Sequence, residues 1–196
     1  MKRWHNKVAV VSGASAGIGA ACCKALISHG LKVVGLARRQ ERILQLKEEL
    51  PAELCNNLHA IRCDVTQEEQ VAKAFEWTQN HLGGCDVLIN NAGIIATAQL
   101  SQRNNTKEIR QTIDTNLMGT VFCTREAFHS MCSQKNGNGH IVIVNSVAGH
   151  QVPNLGPDLP SLNIYPATKF ALKAMNEIYR QEFQRHKTQV RITVGL

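Results

Sequence analysis

Residues 7–19 read Lys7-Val8-Ala9-Val10-Val11-Ser12-Gly13-Ala14-Ser15-Ala16-Gly17-Ile18-Gly19. Four apolar residues in a row, three of them valine, predict a short strand over Lys7–Ser12 that is buried on both faces. Gly13 stops it, and the glycines fall at 13, 17 and 19, a G-x-x-x-G-x-G spacing. Small and apolar residues at helical spacing then predict a helix from Gly17 to His29. A strand, a glycine turn and a helix in this order can cradle a phosphate. Backbone without a Cβ admits a pyrophosphate, and the first N–H groups and positive dipole end of the helix meet its charge. A tight turn that binds nothing is the alternative, and the strand–turn–helix context argues against it. The cradle residues are Gly13, Ser15, Gly17, Ile18 and Gly19.

The same rhythm continues outward. Further strands are expected at Leu31–Leu36, Leu58–Cys63, Asp86–Asn90, His140–Asn145 and Val190–Val194. Helices are expected at Arg39–Leu50, from Thr66 to about His81, over Lys107–Cys132 as one long helix, and over Tyr165–His186. Thr66, with Glu69 three residues later, has the form of a capping box. Strands alternating with helices predict an α/β fold: one doubly wound parallel sheet of the Rossmann type, about six strands with helices on both faces, in a single NAD(P)-binding domain over residues 1–196.

The end of the second strand bears on the cofactor. An NAD-binding site of this kind places an acid there for the ribose hydroxyls. Here the sequence is Gly35-Leu36-Ala37-Arg38-Arg39. With no acid, and with Arg38 and Arg39 offering planar forks to a 2′-phosphate, the expected cofactor is NADP(H). Two solvated arginines opening a surface helix are the bland alternative. Asp64 and Val65, after the third strand, are placed to meet the adenine, with a helix cap as the alternative role for Asp64.

Tyr165 and Lys169 are four residues apart and share a helix face. A tyrosine hydroxyl titrates near ~10, and a neighbouring ammonium favours its phenolate, bringing it within reach of acid–base work. Taken alone, the pair reads equally as a surface tyrosine beside a solvated lysine. Ser146 closes the fifth strand, Asn90-Asn91-Ala92-Gly93 closes the fourth, and Asn116 lies in the long helix. All fall at or beyond the C-terminal side of the sheet, where open α/β sheets bind ligands.

Glycine loop, N-N-A-G, Asn116, Ser146 and Y-x-x-x-K, in that order, resemble the short-chain dehydrogenase/reductase family over roughly residues 5–194. Arg3-Trp4, Val33–Arg38, Cys123–Ala127 and Ser146–His150 resemble the branch of member 11-like proteins, which includes insect farnesol dehydrogenases. The resemblance implies transfer of a hydride between the nicotinamide and an alcohol or ketone: an isoprenoid alcohol such as farnesol, a steroid or a retinoid. It implies that Tyr165 exchanges a proton with the substrate oxygen. Lys169 would hold the ribose and lower the Tyr165 pKa, Ser146 would hydrogen-bond the substrate oxygen, and Asn116 would hold a water in a proton relay. Asn90 with Asn91, Ala92 and Gly93 would support the cofactor. The family carries a Pro-Gly segment, a covering loop and helix, and a seventh strand after the sixth; this sequence reads only to Gly195-Leu196, so the fold is expected to lack the usual final strand. A nucleotide-binding protein without turnover is the competing reading. The loop from Ser146 to Tyr165, longer than usual for the family, is a candidate wall for the pocket.

Composition narrows the field. The formal charge of +7 would suit a nucleic-acid binder, but the basic residues are scattered among acids with no basic run, so no nucleic-acid partner is expected. The seven cysteines form no C-x-x-C pair, so no metal site is expected and free thiols in a reducing compartment are. No signal peptide and no membrane span is read, and the cytoplasm follows; Asn104-Asn105-Thr106 reads as a chance glycosylation match. Apolar stripes on the two long helices, including Ile113, Leu117 and Val121 on one and Leu172, Met175 and Tyr179 on the other, together with the resemblance, imply a homodimer.

Overall fold

A computed structural model describes residues 2–134, 137–156, 159 and 161–195. Six strands lie in one fully parallel sheet of order β3-β2-β1-β4-β5-β6. They are β1 (Val8–Ser12), β2 (Lys32–Ala37), β3 (Leu58–Arg62), β4 (Val87–Asn90), β5 (Asn138–Val144) and β6 (Gln189–Gly195). The order reverses between β1 and β4. The connections leave β1 toward β3 on one side and β4 toward β6 on the other, so a crevice opens over the carboxyl ends of β1 and β4.

Helices α1 (Gly17–Ser28), α2 (Gln40–Glu48), α3 (Glu68–Leu82), α4 (Thr106–Ile113), α5 (Gly119–Ser133) and α6 (Tyr165–Arg185) enclose the sheet. Every residue of β1 is buried, as a central parallel strand requires. Two apolar layers result. One joins Val10, Val34 and Leu88 to Val71, Cys123, Met131 and Phe183 of α3, α5 and α6; the other joins Ala9, Val33 and Val11 to Ile27 of α1 and Ile43 of α2. Among the described residues β6 pairs only with β5, and its outer edge carries no further strand.

Two local expectations are corrected. The Thr66 capping box does not form: α3 begins at Glu68 with Gln67 as its N-cap and no side-chain cap. The carboxylate of Asp64 accepts both the Thr66 N–H (3.1 Å) and the Thr66 hydroxyl (2.9 Å), and the Thr66 oxygen accepts from Gln67 Nε2 (3.1 Å) rather than from a helix N–H. The long helix is also not uniform. A π turn over Asp114–Met118 separates α4 from α5, and Asn116 is buried inside it. Such turns occur often at functional sites.

Candidate active site

The switch point holds a cleft of about 350 Å3, walled by Gly13, Ser15 and Ile18 of the glycine loop, by Ala37, Arg38 and Arg39 after β2, by Asp64 and Val65 after β3, and by Asn91, Ala92 and Gly93 after β4. Of the expected cradle, Gly17 and Gly19 do not line it; they shape its wall. Gly13 has φ +67° and a Cβ there would lie 2.9 Å from Ala92 Cα, while a Cβ on Gly19 would lie 2.3 Å from the Gly13 carbonyl oxygen. The loop and the end of β4 are thus in backbone contact, which only glycine permits. Asn91 clamps them: Nδ2 donates to Ser12 O (3.0 Å) and Gly13 O (3.1 Å), and the N–H groups of Asn91 and Ala92 donate to Ser12 Oγ. Asn90 faces the other way, donating to Thr124 Oγ1 at 2.9 Å, and braces α5.

The electrostatics suit a phosphate-bearing ligand. α1 has no acid in its first turn and no side-chain cap on its N-cap residue Ala16, so its leading N–H groups are free to meet an anion. Arg38 and Arg39 are exposed, and neither is paired with a carboxylate among the described residues. Asp64 lines the cleft and accepts from the Thr66 N–H and hydroxyl; it does not cap α3, whose N-cap is Gln67. The sequence reading missed Leu36, Cys63, Ile94 and Thr115, which also line the cleft. The first two end or follow strands whose neighbours were named, so strand-end position was the available signal.

Tyr165, Lys169, Ser146 and Asn116 do not line this cleft; Asn116 and Lys169, with Tyr165 beside Lys169, stand beyond its Gly93 end. A Cβ on Gly93 would stand 3.5 Å from Asn116 Oδ1 and 3.9 Å from Lys169 Nζ. Tyr165 and Lys169 open α6 and both are buried, at 9% and 6% exposure. Lys169 Nζ lies 5.7 Å from the Tyr165 ring centre and donates to Val144 O at 3.0 Å. Among the described residues no carboxylate pairs with it, and burial pushes the ammonium below its usual range. Asn116 Oδ1 accepts the Ile94 N–H (2.9 Å), and Nδ2 donates to Ile94 O (3.0 Å) and Thr168 Oγ1 (3.1 Å). The π turn therefore ties the strand following β4 to α6. Ser146 stands two residues past β5, its Oγ accepting the Ala148 N–H at 3.1 Å, with no hydrogen bond to Tyr165 among the described residues. Its own hydroxyl proton has no acceptor among the described residues.

A glycine cradle at a parallel-sheet switch point, next to a buried Tyr–Lys pair, defines a nucleotide-dependent oxidoreductase of the Rossmann class. Residues 7–195 match the family described as short chain dehydrogenase, and the chain belongs to the short-chain dehydrogenase/reductase family. It is 46% identical over 193 residues to the farnesol dehydrogenase of Aedes aegypti, covering 98% of this chain and 77% of that protein. It is 40% identical over 196 residues to dehydrogenase/reductase SDR family member 11 of Gallus gallus, covering 98% of this chain and 74% of that one. Among solved structures it superposes with a TM-score of 0.87, at 27% identity, on a short-chain dehydrogenase/reductase from Burkholderia phymatum in complex with NAD, covering 99% of this chain and 66% of that one. Among the described residues no helix is long and apolar enough to cross a membrane.

Proposed function

We propose that the protein is an NADP(H)-dependent oxidoreductase acting on an alcohol or its ketone, with Tyr165 as general acid and base. The observation that carries this reading is the burial of Lys169 beside Tyr165. A lysine drawn out of water with no carboxylate partner among the described residues costs stability, and such groups concentrate at functional sites. It argues against the solvated-surface alternative for the pair.

The cofactor fits the residues present. The Gly13–Gly19 turn leaves backbone bare where the pyrophosphate would lie, and Arg38 and Arg39 stand at the rim to meet a 2′-phosphate. When bound, the nicotinamide supplies the hydride chemistry. The side chains do the rest. Tyr165 moves a proton to or from the substrate oxygen, the Lys169 ammonium holds the ribose, and the Ser146 hydroxyl donates to the substrate oxygen as charge develops there. Asn116 fixes the Ile94 turn against Thr168. Because its amide is committed, a water in the proton relay would use its main-chain carbonyl, which also accepts from Thr120 Oγ1.

The likeness to a farnesol dehydrogenase favours an isoprenoid alcohol, with steroid and retinoid alcohols as the other candidates. All seven cysteines are unpaired, which supports a reducing compartment such as the cytoplasm. Dimerisation is supported by Phe170 and Ile178, large apolar side chains that α6 leaves exposed. Light scattering at micromolar concentration should give twice the chain mass, and a single-chain mass would overturn this.

Fluorescence titration tests the cofactor: NADPH should bind more tightly than NADH, and Arg38→Asp should erase the difference. Tyr165→Phe should abolish oxidation of farnesol while leaving NADPH affinity nearly unchanged. Equal cofactor affinities, or a turning-over Phe variant, would defeat the respective assignment.

A further inference from the structure

Asn145 is wedged between two parts of the site, and the chemistry above does not use it. In sequence it separates Ser146 from Val144, whose carbonyl accepts Lys169 Nζ. Its N–H donates to Gly195 O at 2.6 Å, which ties the end of β5 to the end of β6. Alternate residues of β5 are buried, and Asn145 continues the inward register of Ile141 and Ile143. The side chain is thereby delivered to the interior, where the residue is 8% exposed.

There it meets Gly149, the last residue of a 3-10 turn over Val147–Gly149 that Ser146 opens. Ser146 holds this turn twice: its Oγ accepts the Ala148 N–H, and its carbonyl accepts the Gly149 N–H at 2.9 Å. A Cβ on Gly149 would lie 2.8 Å from Asn145 Nδ2, 2.9 Å from Asn145 Oδ1 and 2.8 Å from Lys169 O. The bare backbone of Gly149 lets the amide and the Lys169 carbonyl crowd one point, where the Ser146 turn packs on α6. Yet neither polar atom of this amide has a hydrogen-bond partner among the described residues. An enclosed amide with both ends unmade costs stability, and an apolar side chain of the same shape would cost less. Such an exception calls for a role other than packing.

We propose that Asn145 is a positioning residue that couples cofactor binding to the placement of Ser146. In the free protein its amide is a spacer with its hydrogen bonds unmade. As Lys169 takes the ribose, the first turns of α6 settle against the Ser146 turn, and Asn145 Nδ2 donates to Lys169 O. The bond made on binding offsets the cost carried in the free protein, so it adds to cofactor affinity while it fixes the Ser146 hydroxyl. The proposal rests on Lys169 as the residue that holds the ribose.

The test uses the whole chain and NADPH alone, so no substrate enters. Side-chain amide signals of 15N-labelled protein are followed during titration, the Asn145 pair being assigned by its loss in Asn145→Leu. NADPH should move this pair downfield, as donation to a carbonyl does. Asn145→Leu keeps the branching of the side chain and removes both polar atoms. Its cofactor-free form should melt no lower than the unmodified chain, yet it should bind NADPH about five-fold more weakly, the equivalent of one hydrogen bond made only in the complex. Asn145→Ala takes its place in the titration if the leucine variant does not fold. An amide pair unmoved by NADPH, or equal NADPH affinity with and without the amide, would overturn the proposal. Lys169→Met, titrated alongside, reads the assignment beneath it. Unchanged affinity there would remove Lys169 from the ribose and the proposal with it, whereas a loss there beside an unmoved Asn145 pair would defeat the coupling alone.

Discussion

Replacing Asn116 with alanine tests whether its amide is a structural clamp. The side chain is 1% exposed and makes three hydrogen bonds: two to Ile94 and one to Thr168. Each bond contributes about 1 kcal/mol net, so their loss should cost about 3 kcal/mol. An unfolding entropy of about 2.1 cal/mol/K per residue makes a chain of this size lose roughly one degree of Tm per 0.4 kcal/mol, so the melting temperature should fall by about 7 °C. Circular dichroism of the cofactor-free protein gives the number directly. Thr168→Val removes one of the three bonds, together with the hydroxyl's own bond to Tyr165 O, and by the same reckoning should cost about 2 kcal/mol. The double variant should cost about 4 kcal/mol, less than the sum of the two single changes, because both break a shared contact. A drop of less than about 3 °C for Asn116→Ala would refute the reasoning, since it would mean the amide is free for ligand or water.

Lys169→Met should eliminate turnover yet raise the stability of the cofactor-free protein near neutral pH, on the order of 1 kcal/mol, because an uncompensated buried charge is removed. The sign with pH follows from the lowered value. Between the folded and the ordinary lysine pKa the unfolded chain binds the extra proton, so the unmodified protein gains stability as pH rises through that window. The gap between Met variant and parent should therefore narrow toward pH ~10 in a series of thermal melts, and a gap that widens would contradict it. Gly13→Ala should lower stability by about 2–4 kcal/mol, from the left-handed φ and the contact with Ala92, and weaken NADPH binding as the clamp at Asn91 opens. Unchanged melting would show that the loop yields instead.

Much of this was legible in the chain. β1, β2 and β4 stood out as apolar runs, since strands buried on both faces have no polar register to hide them. The glycine spacing, the arginines after β2, and the Tyr165–Lys169 pair were readable because their chemistry is local. What escaped depends on distance in space. Nothing near Asn91 signals that its amide spans to Ser12 and Gly13, 79 and 78 residues away. Thr66 looked like a cap because the competing acceptor, Asp64, is indistinguishable in sequence from a strand-end residue. β5 starts at Asn138 rather than His140 because Asn138 and Gly139 pair with Gln189 and Val190, a partner strand their own composition does not reveal. Asn145 drew no notice, since an asparagine at the end of a strand is ordinary until its amide is found unmatched.

The π turn at Asp114–Met118 acts as a phase shifter. Each helical residue advances the side-chain direction by about 100°, so one residue too many or too few turns everything downstream onto another face. Downstream of the turn, Cys123, Ala127 and Met131 point into the core at every fourth position. Upstream, Thr112 leads to Asn116 at the same interval. The extra residue lets one continuous rod serve two clients whose bearings differ: the Ile94 turn at one end and the sheet at the other. Removing a single residue here would straighten the rod into an unbroken α-helix and rotate the core stripe of α5 away from the sheet, so the stretch should tolerate changes of side chain far better than changes of length.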